Sequence, residues 1–274
     1  MTSRRASLAA RRAALAGREK VARRPAVPLD VAEAYAAALR GLNRDLAAEV
    51  RRFLAPEIDR LRAEQRADAA GDLDFGVLRV RLEKIAKDRA LDLVDRFGAR
   101  INRWNASDLA SVLRIDIDAE PPAIRRLLEA WRRENVGLIE SIGKRLHGDV
   151  RDVVREAARK GTRVETLADQ VRERFSVSES RANLIARDQI LKGNADLTLA
   201  RCSEVGITKY RWSTSKDERV RGTPGGKWPK GLHYALNDQI CEFANPPIVN
   251  LDGDRANPGT DYQCRCVAIP ILGD

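Results

Sequence analysis

Apolar residues recur at intervals of three and four through most of this chain, and the pattern changes once, near residue 207. Asp30 stands before VAEAYAAALRGLNRDLAAEVRRFLAP, with Glu33 three residues on. An acidic cap with a glutamate at the third helical position satisfies orphan amides, so a helix is expected to start near Val31 and to yield near Pro56. A shorter helical piece is expected through DRLRAEQRAD. Asp74 then caps a segment whose Phe75, Leu78, Leu82, Ile85, Leu93, Phe97, Ile101 and Trp104 fall on one helical stripe. At about 1.5 Å per residue this is a rod of roughly 45 Å. The Pro121-Pro122 pair belongs in the first turn of the next helix, which carries Ile124, Leu127, Leu128, Trp131, Leu138, Ile139 and Ile142. His147-Gly148 is expected to interrupt it, and DVRDVVREAARK to end at Gly161. Thr162 and Glu165 have capping-box spacing ahead of LADQVRERF. Ser178 is placed as the cap of a last helix, from about Glu179 to Glu204, with Gly206 beyond its end.

From residue 207 the texture differs. ITKYRWST alternates and is rich in β-branched and aromatic residues, and CVAIPIL reads as a second strand. Between them lies a run of Pro and Gly. The fold class expected is therefore α+β: a long, mostly α-helical N-terminal region followed by a small, loop-rich α+β C-terminal module. The division expected is a flexible basic tail over residues 1–28, a helical region over 29–160 and a C-terminal domain over 161–274. A module with so little regular structure usually needs a metal, a disulfide or a partner.

Composition refines this picture. Charged residues make up 33% of the 274 residues and aromatics only 5%, closer to solvated helices than to a β-sandwich. No apolar run approaches the roughly 18 residues that span a bilayer, and residues 1–24 lack the unbroken apolar stretch of a secretory signal, so the chain is read as soluble and made in a cytoplasm, with no membrane partner. The net charge is +10. Residues 1–24 hold eight cations, Arg4, Arg5, Arg11, Arg12, Arg18, Lys20, Arg23 and Arg24, against Glu19 alone, a net +7. Such a tail attracts DNA or an acidic protein surface, with steep salt dependence. Its Arg- and Ala-rich composition also resembles a transit peptide.

The most specific residues follow Trp212. Trp212, Thr214, Asp217, Arg219, Val220 and Arg221 form a W-x-T-x-x-D-x-R-V-R stretch. His233 and Leu236 come next with the Asn237-Asp238 turn, and Cys264-Arg265-Cys266 lies near the end. These three motifs, in this order, resemble the phage Mu F-like family of head morphogenesis or minor head proteins. In the preceding helix Arg187 and Asn194 match that family, whereas Asp188 and Gln189 replace its Thr and Glu. The likeness covers roughly residues 160–270. It implies a structural, non-enzymatic minor head protein of a tailed phage or prophage. Such a protein would associate with the portal and other head proteins, assist morphogenesis and DNA packaging or delivery, and pass from the bacterial host cytoplasm to the virion head.

The residues themselves leave several chemistries open. His233, Cys241, Cys264 and Cys266 form a ligand set that zinc accepts in a structural site. The same groups also read as free or packed thiols with a hydrogen-bonded histidine, or as a disulfide formed after lysis. Cys202 sits on a helix and reads as a small packing residue. Arg219 and Arg221 are two apart and could point together towards phosphate or a partner, or form a salt-bridge knot with Asp217. Trp228 and Tyr234 beside Lys227 and Lys230 offer either a stacking patch for single-stranded nucleic acid or the core of the module. Cys264 or Cys266 with His233 could form a nucleophile and base, although no phosphate-binding loop or hydrolase motif is present. The alternatives to a head protein are thus a nucleic-acid-binding protein without a particle role and a toxin-like enzyme domain.

Overall fold

The computed structural model describes residues 8–15, 21–64, 73–117 and 120–272. They form five α-helices followed by one three-stranded sheet, an α+β chain: α1 (Leu8–Leu15), α2 (Leu29–Glu64), α3 (Phe75–Leu113), α4 (Pro122–Lys160), α5 (Val164–Glu204), β1 (Lys209–Ser213), β2 (Ile240–Glu242) and β3 (Val267–Pro270). Packing divides the chain into two compact units that do not follow chain order. Unit 1 takes Met1–Ala32, Gly98–Trp131 and Asp188–Asp274, and unit 2 takes Glu33–Phe97 and Arg132–Arg187.

The helices run further than local signals suggest. α2 opens at Leu29, one turn's backbone bond being Ala32 N–H to Pro28 O, so Asp30 lies inside the first turn and serves the helix dipole rather than the cap. It continues through Pro56, which leaves the Arg52 carbonyl without its usual donor. α3 starts as expected: Asp74 Oδ1 accepts the Gly76 N–H at 2.8 Å. Pro122 is the first residue of α4, with Arg125 N–H bonded to Pro121 O. The interruption expected at His147-Gly148 is absent. His147 is buried within α4, its Nε2 2.9 Å from the Phe75 carbonyl, and the long-range contact outweighs the weak helix preference of the pair. Likewise Ser178 does not cap a helix. It lies buried in the middle of α5, because Phe175, Ala182 and Ile185 continue the buried stripe across it.

Both long C-terminal helices end as glycine signals require. Gly161 and Gly206 take φ of 62° and 84°. At each, the next residue's N–H reaches back to the carbonyl five residues before it, Thr162 to Ala157 O at 2.9 Å and Ile207 to Cys202 O at 2.9 Å. These are Schellman closures.

Unit 2 buries Tyr35, Leu39, Leu46, Leu78, Leu82, Ile139 and Val150 among its helices. Tyr35 Oη pairs with Asn135 Oδ1 at 3.1 Å, which satisfies its buried hydroxyl. In unit 1 a second core gathers Leu109, Leu113, Cys202, Tyr210, Trp212, Phe243 and Leu272 around the sheet. The sheet has the order β2-β1-β3, all antiparallel, with Tyr210 opposite Cys241 and Trp212 opposite Ala268. Tyr210 and Trp212 alternate inward along β1, as a period of two demands. The free edge of β3 is covered by residues before α2: Val21 bridges Ile271, and Ala22 N–H donates to Pro270 O.

Candidate functional site

The site is built at the end of β1 in unit 1. Trp212 is fully buried, and its backbone N–H and C=O are held by Gln239 O and Asp238 N at 2.8 Å each. Thr214, one residue past the strand, donates both its N–H and its hydroxyl to Asn237 Oδ1, at 3.0 and 2.9 Å. The Asn237-Asp238 turn is therefore clamped to the strand end, and the intervening loop brings His233 beneath the indole. The two rings meet edge to face at 5.4 Å between centroids. This loop closes only because Gly222 takes φ of 83° and Gly231 lies against it; a Cβ on Gly222 would run into the Gly231 carbonyl oxygen.

The motif charges are used on one another. Arg265 grips Asp217 with both terminal nitrogens, at 2.5 and 2.6 Å, and Asp217 Oδ1 also accepts the Arg219 N–H at 3.0 Å. The bidentate bond from Arg265, opposed by burial and aided by the Arg219 amide, holds the Asp217 carboxyl below the usual range. Arg221 turns inward and bonds the Asp261 carboxylate and the Tyr262 carbonyl. Arg219 and Arg221 thus do not point together. The Arg219 guanidinium remains mostly exposed, 3.9 Å from Asp217.

Asp261 leads on to the histidine. Its Oδ2 lies 3.2 Å from His233 Nε2, while His233 Nδ1 faces Cys264 Sγ at 3.5 Å and Cys266 Sγ at 3.7 Å. All three of His233, Cys264 and Cys266 are buried, at 2%, 5% and 6% exposure. Their ligand atoms lie within 4.8 Å of one another. Gly259 N–H points at Cys264 Sγ from 3.4 Å. Burial works against a charged imidazole, but the bonds to Asp261 and Cys264 outweigh it and raise His233 to about 9. The hydrogen bond from Cys266 lowers Cys264 well below a free thiol, against burial and with help from His233. The bond to Cys264 and burial push Cys266 up.

The other two cysteines lie elsewhere. Cys241 is half-buried on β2, its sulfur 3.9 Å from the Gln239 carbonyl, and burial raises its thiol while Tyr210 opposes this. Cys202 is fully enclosed in α5, where burial pushes its thiol up to about 12. Trp228 and Tyr234 are exposed, at 55% and 51%, and Lys227 Nζ stands 5.5 Å from the Trp228 ring centre. They do not form the core of the module.

Of the eight N-terminal cations, Arg4, Arg5, Arg18 and Lys20 lie outside the described residues. Arg12 donates to the Glu204 carbonyl at the end of α5, Arg23 to Ser111 Oγ at 3.4 Å, and Arg24 to Ser213 Oγ at 3.0 Å. Arg11 lies half-buried in α1.

Two contributors escaped sequence reasoning. Asp261 had only its place in PGTDYQCRC to mark it. Asp188, at the position where the resemblance fails, accepts the Gln263 N–H at 2.7 Å and pairs with Lys192, which anchors the loop leading into Cys264. The matching Asn194 belongs to a buried polar network, in which Asn105 bonds Asn194 Oδ1 and Thr198 Oγ1 at 2.8 Å and Arg201 bonds Asn105 and Asn102 at 2.5 Å.

Cys264, His233 and Asp261 line up as a nucleophile, base and orienting acid would. The cavity beside the sulfurs, lined also by Leu191, Asn194 and Gly259, has a volume of only about 20 Å³. That is room for about one water.

Comparison with known proteins points to one family. Residues 148–269 match the model described as Phage Mu protein F like protein. Over these residues the chain is similar to the Mu F-like family. Its matched span contains the whole of the network from Asp188 to Cys266. An uncharacterized protein of Haemophilus influenzae is 37% identical over 202 residues, which cover 70% of this chain and 42% of that protein. The chain thus spans less than half the length of that relative. No solved structure matches. Among the described residues, no helix is long and apolar enough to cross a membrane.

Proposed function

We propose that this Mu F-like chain is a structural minor head protein of a tailed phage or prophage. In this reading it associates with the portal vertex and other head proteins, assembles in the host cytoplasm and ends in the virion head. There it assists morphogenesis and the packaging or delivery of DNA. The observation that carries the reading is the family match over residues 148–269. The geometry supports a structural role: Asp217, Arg265, Arg221, Asp261 and His233 are committed to one another. Within this reading the basic N-terminal residues supply a DNA contact, the +7 of residues 1–24 being suited to phosphate.

The test is mass spectrometry of heads purified from the producing element. The chain is expected in procapsids or mature heads, at few copies per particle and together with the portal protein. Heads that lack it at every stage of assembly overturn the assignment.

A further inference from the structure

We propose that His233, Cys264 and Cys266 bind one zinc ion, with Asp261 as the outer partner that orients the imidazole. The ring nitrogen already stands at ligand spacing from both sulfurs. With bonds of about 2.3 Å to sulfur and about 2.0–2.1 Å to nitrogen at tetrahedral angles, a sulfur and a nitrogen on one zinc ion lie roughly 3.5 Å apart. Here Nδ1 stands 3.5 and 3.7 Å from the two sulfurs. The other ring nitrogen meets a carboxylate at 3.2 Å, the arrangement that fixes a metal-bound histidine in one tautomer.

Two donors also stand at this place. The indole N–H of Trp212 is buried without a hydrogen-bond partner, on a ring that packs edge to face against His233. The backbone N–H of Gly259 is directed at Cys264 Sγ. Donors aimed at sulfur stabilise a metal-bound thiolate pair and are poorly used by neutral thiols. Charge also balances. Two thiolates and a neutral imidazole cancel the two charges of the ion, and Arg221 offsets Asp261 beside them, so the enclosed group carries no net charge. Three protein ligands leave one tetrahedral position, and the adjoining cavity of about 20 Å³ can supply its water. Cys241 is not a ligand, since from β2 it faces the Gln239 carbonyl and lies opposite Tyr210 of β1.

The experiment uses the full-length protein, purified with a non-chelating reductant and without added metal, then titrated with zinc sulfate or cobalt chloride. One zinc per chain is expected by elemental analysis. One equivalent of cobalt should give thiolate-to-metal charge-transfer absorption and ligand-field bands of tetrahedral intensity. Cys241→Ser and Cys202→Ala should retain one metal per chain, whereas Cys264→Ser and Cys266→Ser should lose it. Asp261→Asn should weaken zinc in chelator competition by about 10- to 100-fold. A wild-type protein that takes up well under one equivalent overturns the proposal. So does a cobalt complex without thiolate charge transfer, or a Cys241→Ser protein as metal-poor as Cys266→Ser. The wild-type spectrum decides the matter even where a variant fails to fold.

Discussion

Asp217 joins segments that are 48 positions apart in sequence, because its two carboxylate oxygens meet the two terminal nitrogens of Arg265. Its carboxyl is held below its ordinary value of 3.8. A depressed carboxyl contributes stability that is present above the unfolded pKa and lost as pH falls through the folded one. Asp217→Asn is therefore expected to lower the stability of unit 1 at neutral pH, with the gap from wild type closing as the pH falls below about 4. Denaturant unfolding of both proteins at several pH values, followed by tryptophan fluorescence, checks this. A gap that stays constant down to acid pH removes the ion pair from the account. Arg221 and Asp261 form a similar link, but one that also reaches His233, so a change there would disturb two things at once.

At the scale of elements, α5 is the informative case. It is a single helix of 41 residues that crosses Ser178, a residue whose local preference is to cap. The buried stripe of Val171, Phe175, Ala182 and Ile185 overrides that preference. The side chain bears the consequence: the Ser178 hydroxyl is buried without a hydrogen-bond partner. Ser178→Ala removes an unsatisfied polar group and raises helix propensity, and it should stabilise unit 2 by about 1 kcal/mol. A thermal melt of the purified variant reads this, and a lower melting temperature would mean that the hydroxyl has an acceptor in solution. Pro56 within α2 teaches the same lesson, since packing of Leu54 and the preceding turns sustains a helix across a residue that removes one of its donors.

For the molecule as a whole, the N-terminal cations raise a question of allocation. Arg12 and Arg24 donate to acceptors of unit 1 itself, and each bond competes with phosphate. If all eight cations met phosphates, log K against log salt would have a slope of about −7, from about −0.9 per contact. A slope of roughly half that is expected for full-length protein on duplex DNA, and a much smaller one for a chain starting at Pro25. Equal slopes would take residues 1–24 out of DNA contact. Binding too weak to measure at physiological salt would direct them instead to an acidic protein surface.

The sequence by itself determined the α+β class, the helical stripe from Phe75 to Ile101, the glycine-closed helix ends at Gly161 and Gly206, strands β1 and β3, and the Mu F-like motif. Each is written in local terms: a period, a cap, a left-handed glycine or a run of fixed residue types. It could not show that His147 and Ser178 lie inside continuous helices, because contacts with Phe75 and with the buried stripe decide those positions. Nor could it find β2, whose three residues carry too short a pattern and are fixed by pairing with β1. The site shows the same division. Four soft ligands were visible in the sequence, but only the fold separates Cys241 from His233, Cys264 and Cys266, since a strand register places Cys241 beside Tyr210. Only the fold brings in Asp261 and Asp188, because a carboxylate's partner is set by distance in space, and nothing in chain spacing records that distance.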